Sequence, residues 1–521
     1  MKIRILAVLF CLMAQHTFAQ TKVFKEVSEE VSSQMHMIHQ DGNLVGYLVF
    51  TELEKANADS FNYKLSIMDE NLNDIGKVEF REQKLKLQSV AFEQDVICLA
   101  YVKSNILGSE CKNMREVKNA QAKGKNWIFT QFVDLNGKII KTNSVETELE
   151  YSSPVWKTTR ILNATAALKH DVQLKNISGK GFALFYGDQS KNNLLMFDAK
   201  GKQIFQEQIK EDAVAFGLLT SGANIHLLYK KGAYGDGEGG YELLGFNTAD
   251  STKFPKYILK DKKGNYLKVL AFDVDPSTNK PYISGHIING KQSSFGNAAD
   301  DAKGAYAGVF TININGSGKS DVAEHYSYWN DGSMPAISKT GLYKEKKHTY
   351  ARQVRSFMDY DGNSYFVGSA YVKKARVGAI VASIITAPLL IPAIALLAPG
   401  THKARITDIT VLKQNNKGQL SVENVIDGNA TRYVPAKLGF YVYDNRSFNT
   451  VTNPDTKTSY LVMDDPKQIM IYNVNKKKIV RTIPHKDGNI RTYVYGAKEG
   501  HIMVSEYNSK ERETRYSIEA L

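Results

Sequence analysis

Four carboxylates are the residues best placed to do acid–base chemistry. Asp236 and Glu238 lie in KGAYGDGEGG (231–240), and Asp300 and Asp301 lie in GKQSSFGNAADDAKG (290–304). Two of them facing each other across a sugar would suit glycosidic cleavage, which needs a paired acid and base or nucleophile. Their Gly-rich, polar surroundings fit solvated loop carboxylates equally. DYDGN (359–363) offers oxygen atoms at alternate positions, as a calcium loop does. An EF-hand, however, needs its Gly sixth and a Glu twelfth, and Gly362 is fourth. This stretch and DVDPSTN (273–279) therefore read as hairpin turns. His36 and His39 sit in an expected strand, where a spacing of three points them to opposite faces, so they do not share a metal. HYSYWNDG (325–332) suits either sugar stacking or packing between strands. There is no G-x-S-x-G elbow, no H-E-x-x-H and no P-loop. The sequence thus assigns no catalytic residue, no metal site and no cofactor, and it identifies no reaction.

These residues sit on a repeat. LQSVAFEQDVICLAYVK (87–103) is followed by a basic loop and NWIFTQFVDLNGKII (126–140). LKVLAFDVDPSTNKPYISGHIIN (267–289) is followed by a polar loop and YAGVFTININGSGK (306–319). RQVRSFMDYDGNSYFVGSAYVK (352–373) is followed by an apolar run and ITDITVLKQNNKGQL (406–420). Each stretch reads strand, tight turn, strand, insert, strand, turn, strand. The β-branched and aromatic runs bounded by Asp, Asn and Gly are hairpin signals. Weaker copies occupy 35–80, 170–209, 213–259, 437–484 and 490–521. The last lacks a fourth strand, and VFKEVSEEV (23–31) is placed to supply it and close a ring. The expected fold is all-β: a β-propeller of eight four-stranded blades, with seven as the alternative count and a pair of β-sandwiches as the alternative architecture.

FMDYDGNSYFVGSAY resembles the blade repeat of secreted bacterial β-propellers, roughly D-x-x-G-N-x-Y-V-x-G. Asp359, Gly362, Asn363, Tyr365, Val367 and Gly368 carry the likeness. AFDVDPSTNKPYISGHI is similar, with a longer turn that lacks the Gly. The whole chain resembles uncharacterised exported proteins of Gram-negative bacteria. These resemblances imply a fold and supply no catalytic residue.

In a four-stranded up-and-down blade all links between second and third strands emerge on one face. The inserts 104–125, 231–240, 290–304 and 374–405 are therefore expected on one rim, and rigid scaffolds tend to present function on such loops. Insert 104–125 reads as a basic loop carrying Lys112, Arg115, Lys118, Lys123 and Lys125. Residues 377–400, VGAIVASIITAPLLIPAIALLAPG, carry no charge. The run is long enough to span a bilayer. A single span would nevertheless separate two strands that must pair. Pro388 and Pro392 divide it into Arg376–Ala387 and Leu389–Leu397, which suits a short helical hairpin. Its apolar contacts would be Ile380, Ile384, Ile385, Leu389, Leu390, Ile391, Ile394, Leu396 and Leu397. Its basic shoulders are Lys373, Lys374 and Arg376 on one side and His402, Lys403 and Arg405 on the other. An apolar tip with basic shoulders is the pattern of an interfacial anchor at anionic lipid. Docking onto a partner protein, or packing on the protein's own ring, remain the other uses of such a run.

The chain has 521 residues, with 28 Tyr, 23 Phe and only 12 Pro. That length exceeds one ordinary core and suits a repeat architecture. MKIRILAVLFCLMAQHTFAQ reads as a signal peptide over residues 1–19, with Lys2 and Arg4 before an apolar stretch and Ala19 at the cleavage position. Residues 20–521 are then one propeller domain with an insertion at 374–405. The expected location is exported: periplasm, outer-membrane periphery or cell exterior. In such a compartment Cys98 and Cys111 could pair, closing a loop worth about 3 kcal/mol, or stay as thiols. The formal charge of +13 falls to +11 without Lys2 and Arg4. That excess suits anionic lipid, anionic glycan or an acidic partner. No nucleic-acid motif accompanies it. The expected function is a non-enzymatic binding or scaffold role at the envelope, meeting a membrane surface or an envelope protein. A propeller-fold hydrolase or lyase acting on extracellular glycan is the alternative.

Overall fold

Alternating apolar strands and Asp/Asn-rich turns build eight antiparallel four-stranded sheets in chain order. The computed structural model describes residues 20–521 except 26–31, 41–42, 58–59, 107–112, 152–165, 232–239, 251, 289–305, 317–320, 330–348, 376–398, 438–445, 487 and 499. Blade 1 comprises Ser32–Gln40, Asn43–Lys55, Phe61–Asp69 and Asp74–Glu82. Blade 2 comprises Lys84–Glu93, Val96–Ser104, Asn126–Asp134 and Ile139–Thr147, and blade 3 comprises His170–Ile177, Gly181–Gly187, Asn192–Asp198 and Gln203–Ile209. Blade 4 is Ala213–Ser221, Asn224–Lys231, Tyr241–Asn247 and the short Tyr257–Leu259; blade 5 is Leu267–Val274, Pro281–Ile288, Tyr306–Ile314 and Val322–Tyr328. Blade 6 is Thr349–Met358, Ser364–Ala375, Pro399–Gln414 and Leu420–Ile426; blade 7 is Ser447–Asn453, Thr458–Asp465, Gln468–Asn473 and Lys478–Pro484. Blade 8 takes Ile490–Gly496, His501–Asn508 and Glu513–Ala520 from the end of the chain and Gln20–Lys25 from its beginning. The protein is an eight-bladed β-propeller.

First strands of successive blades pack on one another and line the centre. Second strands carry much of the core, and Gly181–Gly187 and Pro281–Ile288 are buried along their whole length. Fourth strands alternate exposed and half-buried residues, as in Gln203–Ile209, which suits an outer edge. Each interface between neighbouring blades has its own apolar cluster, and eight of them close the circle. Ile38, Phe50 and Tyr63 of blade 1 meet Leu85 and Tyr101 of blade 2. At the other end of the chain Met503 and Ile518 of blade 8 meet Tyr47 and Val49 of blade 1. The closing strand is Gln20–Lys25, so its register lies earlier than the expected 23–31. Gln20 pairs with Ile518, Phe24 packs edge-on against Tyr516 at 5.8 Å, and Lys22 bonds to Asp74 of blade 1 at 2.6 Å.

The turns explain the blade pattern. Asp359 Oδ1 accepts from the backbone N–H groups of Asp361 at 2.9 Å and Asn363 at 2.8 Å. The N–H of Gly362 returns to the Asp359 carbonyl, which requires φ of +74° at Gly362. The same bonding recurs at Asp69, Asp134, Asp198, Asp261 and Asn415. Asp359 is thus occupied as a turn cap, as the hairpin interpretation of DYDGN expects. Tyr365 and Val367 then enter the core, and a side chain at Gly368 would collide with the Arg352 carbonyl.

Cys98 is fully buried in the cluster between blades 2 and 3; it has no disulfide partner among the described residues, and burial pushes its thiol well above its usual range. Cys111, its anticipated partner, lies outside the described residues.

Candidate functional site

Antiparallel order sorts every connection onto one of two faces. Links from first to second and third to fourth strands share one face, where short turns such as 94–95, 135–138, 199–202 and 359–363 dominate. Links from second to third strands, and from each blade to the next, share the other. The strand ends flanking 105–125, 232–240, 289–305 and 376–398 all lie on this second face, as do those flanking 148–169, 329–348 and 427–446. The molecule therefore has a turn face and an insert face. Asp236, Glu238, Asp300 and Asp301 lie outside the described residues, and so do Ile380, Ile384, Ile385, Leu389, Leu390, Ile391, Ile394, Leu396, Leu397 and Arg376. The expected helical hairpin falls in the same undescribed stretch.

Paired strands flank that stretch. In blade 6 the second strand runs on to Ala375 and the third begins at Pro399, with Lys374 opposite Lys403 and Ala375 opposite His402. The extra strand Val434–Lys437 pairs with the far side of Pro399–Ala404. A three-stranded ribbon thus extends the blade, and the uncharged run leaves and returns between two paired strands. Both its ends therefore lie on the insert face.

Cations gather at the base of this ribbon. The ring of Tyr433 has Lys374 Nζ at 5.1 Å, Lys403 Nζ at 5.4 Å and Arg405 Cζ at 5.0 Å. These are cation–π distances. Among the described residues none of the three cations pairs with a carboxylate. Of the predicted shoulder residues, the structure brings together Lys374, Lys403 and Arg405. Tyr433 was not anticipated, because the sequence holds it 28 residues beyond Arg405 with no local signature.

A buried ion pair braces the ribbon. The Arg446 and Asp465 side chains are both inaccessible and meet at 3.0 Å. Arg446 also donates to Ser369 Oγ and to the carbonyls of Thr407, Asp408 and Asn429. Its guanidinium is therefore fully used, and Asp465 in turn accepts from the backbone and side chain of Asn429. Thr431 bonds twice to the backbone of Ile406. Segment 427–437 is thereby fixed against the third strand of blade 6.

Two other features share the insert face. The expected basic loop 104–125 contains helix α1, Met114–Lys123, a correction to its reading as loop. Asn113 caps it by accepting from the N–H groups of Arg115 and Glu116 at 3.0 Å, and its own side-chain amide donates to the Glu116 carboxylate at 3.0 Å. Arg115, Lys118 and Lys123 are exposed along it. A hollow of about 410 Å³ lies between blades 2 and 3, lined among others by Lys125, Glu146, Glu148, Asp188 and Lys191. Asp188 is buried there but committed to its own turn, accepting from Ser190 and Lys191 N–H groups, and to Thr147.

His36 and His39 lie either side of a bulge in the first strand of blade 1. Among the described residues no group of three His, Cys, Asp or Glu is arranged to hold a metal. Tyr326 and Tyr328 pack between blades 4 and 5 and donate to the Lys260 carbonyl and to Asp261, while Trp329 is buried between blades 5 and 6. The aromatic stretch 325–329 is packing.

The chain belongs to the DUF6770 family, described as a family of unknown function, whose model matches residues 1–521. No curated protein matches the sequence. Among solved structures, the C-terminal WD40 domain of Sif2 aligns over 96% of this chain and 99% of its own at 8% identity, with a TM-score of 0.42. The WD40 domain of SCAP from fission yeast aligns over 95% and 98% at 10% identity, with a TM-score of 0.36. The β-propeller domain of the Trilobed protease from Pyrococcus furiosus aligns over 84% and 95% at 9% identity, with a TM-score of 0.34.

Proposed function

We propose that this DUF6770 member is an exported, non-enzymatic binding or scaffold protein of the cell envelope. Its insert face rests on a membrane, and the uncharged run 377–397 enters the near leaflet. The observation that carries this is the ribbon of blade 6, which anchors both ends of the run beside a cluster of cations. Burying a Leu or Ile side chain is worth about 1.5–3 kcal/mol, so nine such residues need an apolar cover. The basic shoulders and the exposed cations of α1 favour an anionic one.

The first described residue, Gln20, sits on the turn face, opposite the run. Residues 1–19 join the chain there. Their removal as a signal peptide leaves a single apolar segment directed at a membrane.

A solvent-sensitive dye on Ser383→Cys, in a Cys111→Ser background, should shift to the blue and resist an aqueous quencher when acidic vesicles are added. The same dye on Lys417→Cys, on the turn face, should not respond. An unchanged spectrum at 383 would instead place the run against protein.

A further inference from the structure

We infer that Lys374, Lys403, Arg405 and Tyr433 form an anion-binding collar at the neck of the apolar run, built to take the phosphate of an acidic lipid head group. This rests on the membrane reading above and adds to it the group recognised.

Three observations converge. Lys374 and Lys403 are direct cross-strand partners, and Arg405 is two residues from Lys403 on the same side of its strand. Like charges directly opposite each other destabilise a sheet, so the arrangement works against the ribbon that holds it. Among the described residues no carboxylate compensates these charges, and Tyr433 offers them its ring face at 5.0 to 5.4 Å. Finally, Arg405 Nε and Tyr433 Oη are both shielded from solvent and make no hydrogen bond among the described residues. Two orphaned donors inside a cluster of three cations call for one acceptor-rich anion. A phosphate has non-bridging oxygens for a guanidinium edge, a phenol and two ammonium groups together, and Arg in particular matches it in geometry. The collar's place at the root of the run is the level a head group would occupy if the run lay in the acyl region.

The test uses the mature protein, a collar variant (Lys374→Gln, Lys403→Gln, Arg405→Gln), Tyr433→Phe, and a variant with 377–397 replaced by a Gly/Ser linker. Co-sedimentation is measured with phosphatidylcholine vesicles and with vesicles containing phosphatidylglycerol. Thermal unfolding is measured in inorganic phosphate against chloride at equal ionic strength. The intact protein should prefer the acidic vesicles by roughly a hundredfold, about fivefold for each cation. The collar variant should lose that preference while still binding both vesicle types weakly through the run. Tyr433→Phe, which keeps the ring and removes the donor, should lose part of the preference without losing stability. The linker variant should leave vesicles altogether yet keep a phosphate-specific rise in melting temperature that the collar variant lacks. A collar variant as selective as the intact protein overturns the collar and leaves the membrane reading standing. If no protein binds vesicles but the phosphate-specific rise persists and depends on the collar, the site serves soluble phosphate and the lipid assignment is overturned. Absence of both signals overturns both.

Discussion

Arg446→Met should destabilise the protein by about 3–5 kcal/mol, the cost of leaving a buried carboxylate without its partner. The loss is this large because every donor of Arg446 is used inside the protein and both side chains are wholly inaccessible. Removing the cation strands Asp465 and frees the carbonyls of Thr407 and Asn429 at once. The double variant Arg446→Met/Asp465→Leu should recover much of the loss, since replacing a buried pair by apolar groups is often close to neutral. Equilibrium urea unfolding of the three proteins checks this. A single variant as stable as the parent would show that the pair is hydrated and not a brace. Because the pair fixes segment 427–437, the single variant should also loosen Tyr433, which amide exchange at Val434–Lys437 would register as lost protection.

A chain beginning at Glu26 should lose about 3–5 kcal/mol and begin to self-associate. Residues 20–25 supply the outer strand of blade 8, with six residues in register against Glu513–Ile518. Removing them gives up ladder hydrogen bonds at roughly 1 kcal/mol each and the packing of Phe24 on Tyr516. It also exposes the strand Glu513–Ala520 as a free edge, a template for pairing with another copy. Thermal unfolding and light scattering of the truncated chain test both parts. If it melts with the parent and stays monomeric, the ring does not depend on this closure.

Much of the ring was legible because its signals are local. Asp359, Gly362 and Asn363 specify a turn through backbone bonds within five residues, and that turn recurs in four of the eight blades and in the link from blade 4 to blade 5. Two elements were harder to place. The weak copy at 437–484 opens with the apolar LGFYVYDN (438–445), which lies outside the described residues, whereas the first strand of blade 7 is SFNTVTN, Ser447–Asn453. It presents only Phe448 and Val451 to the core among polar residues, so its hydrophobic signal is weak. Helix α1 is short and mostly polar, with only Met114, Val117 and two alanines as apolar residues, and the Asn113 N-cap is its clearest signature. The site was half legible. Lys374, Lys403 and Arg405 could be named from their place beside the apolar run. Tyr433 and the Arg446–Asp465 brace could not, because they arrive from a different connection and join the ribbon only through tertiary pairing. The hollow between blades 2 and 3 was missed for the same reason: its lining comes from three separate segments.

The most direct test of the central claim is vesicle flotation of the mature protein beside the variant carrying a Gly/Ser linker in place of 377–397. Circular dichroism would confirm that both are folded. The account predicts that the intact protein floats with acidic vesicles and the linker variant stays at the bottom of the gradient. An intact protein that remains with the variant would contradict it, and would assign the apolar run to a protein surface.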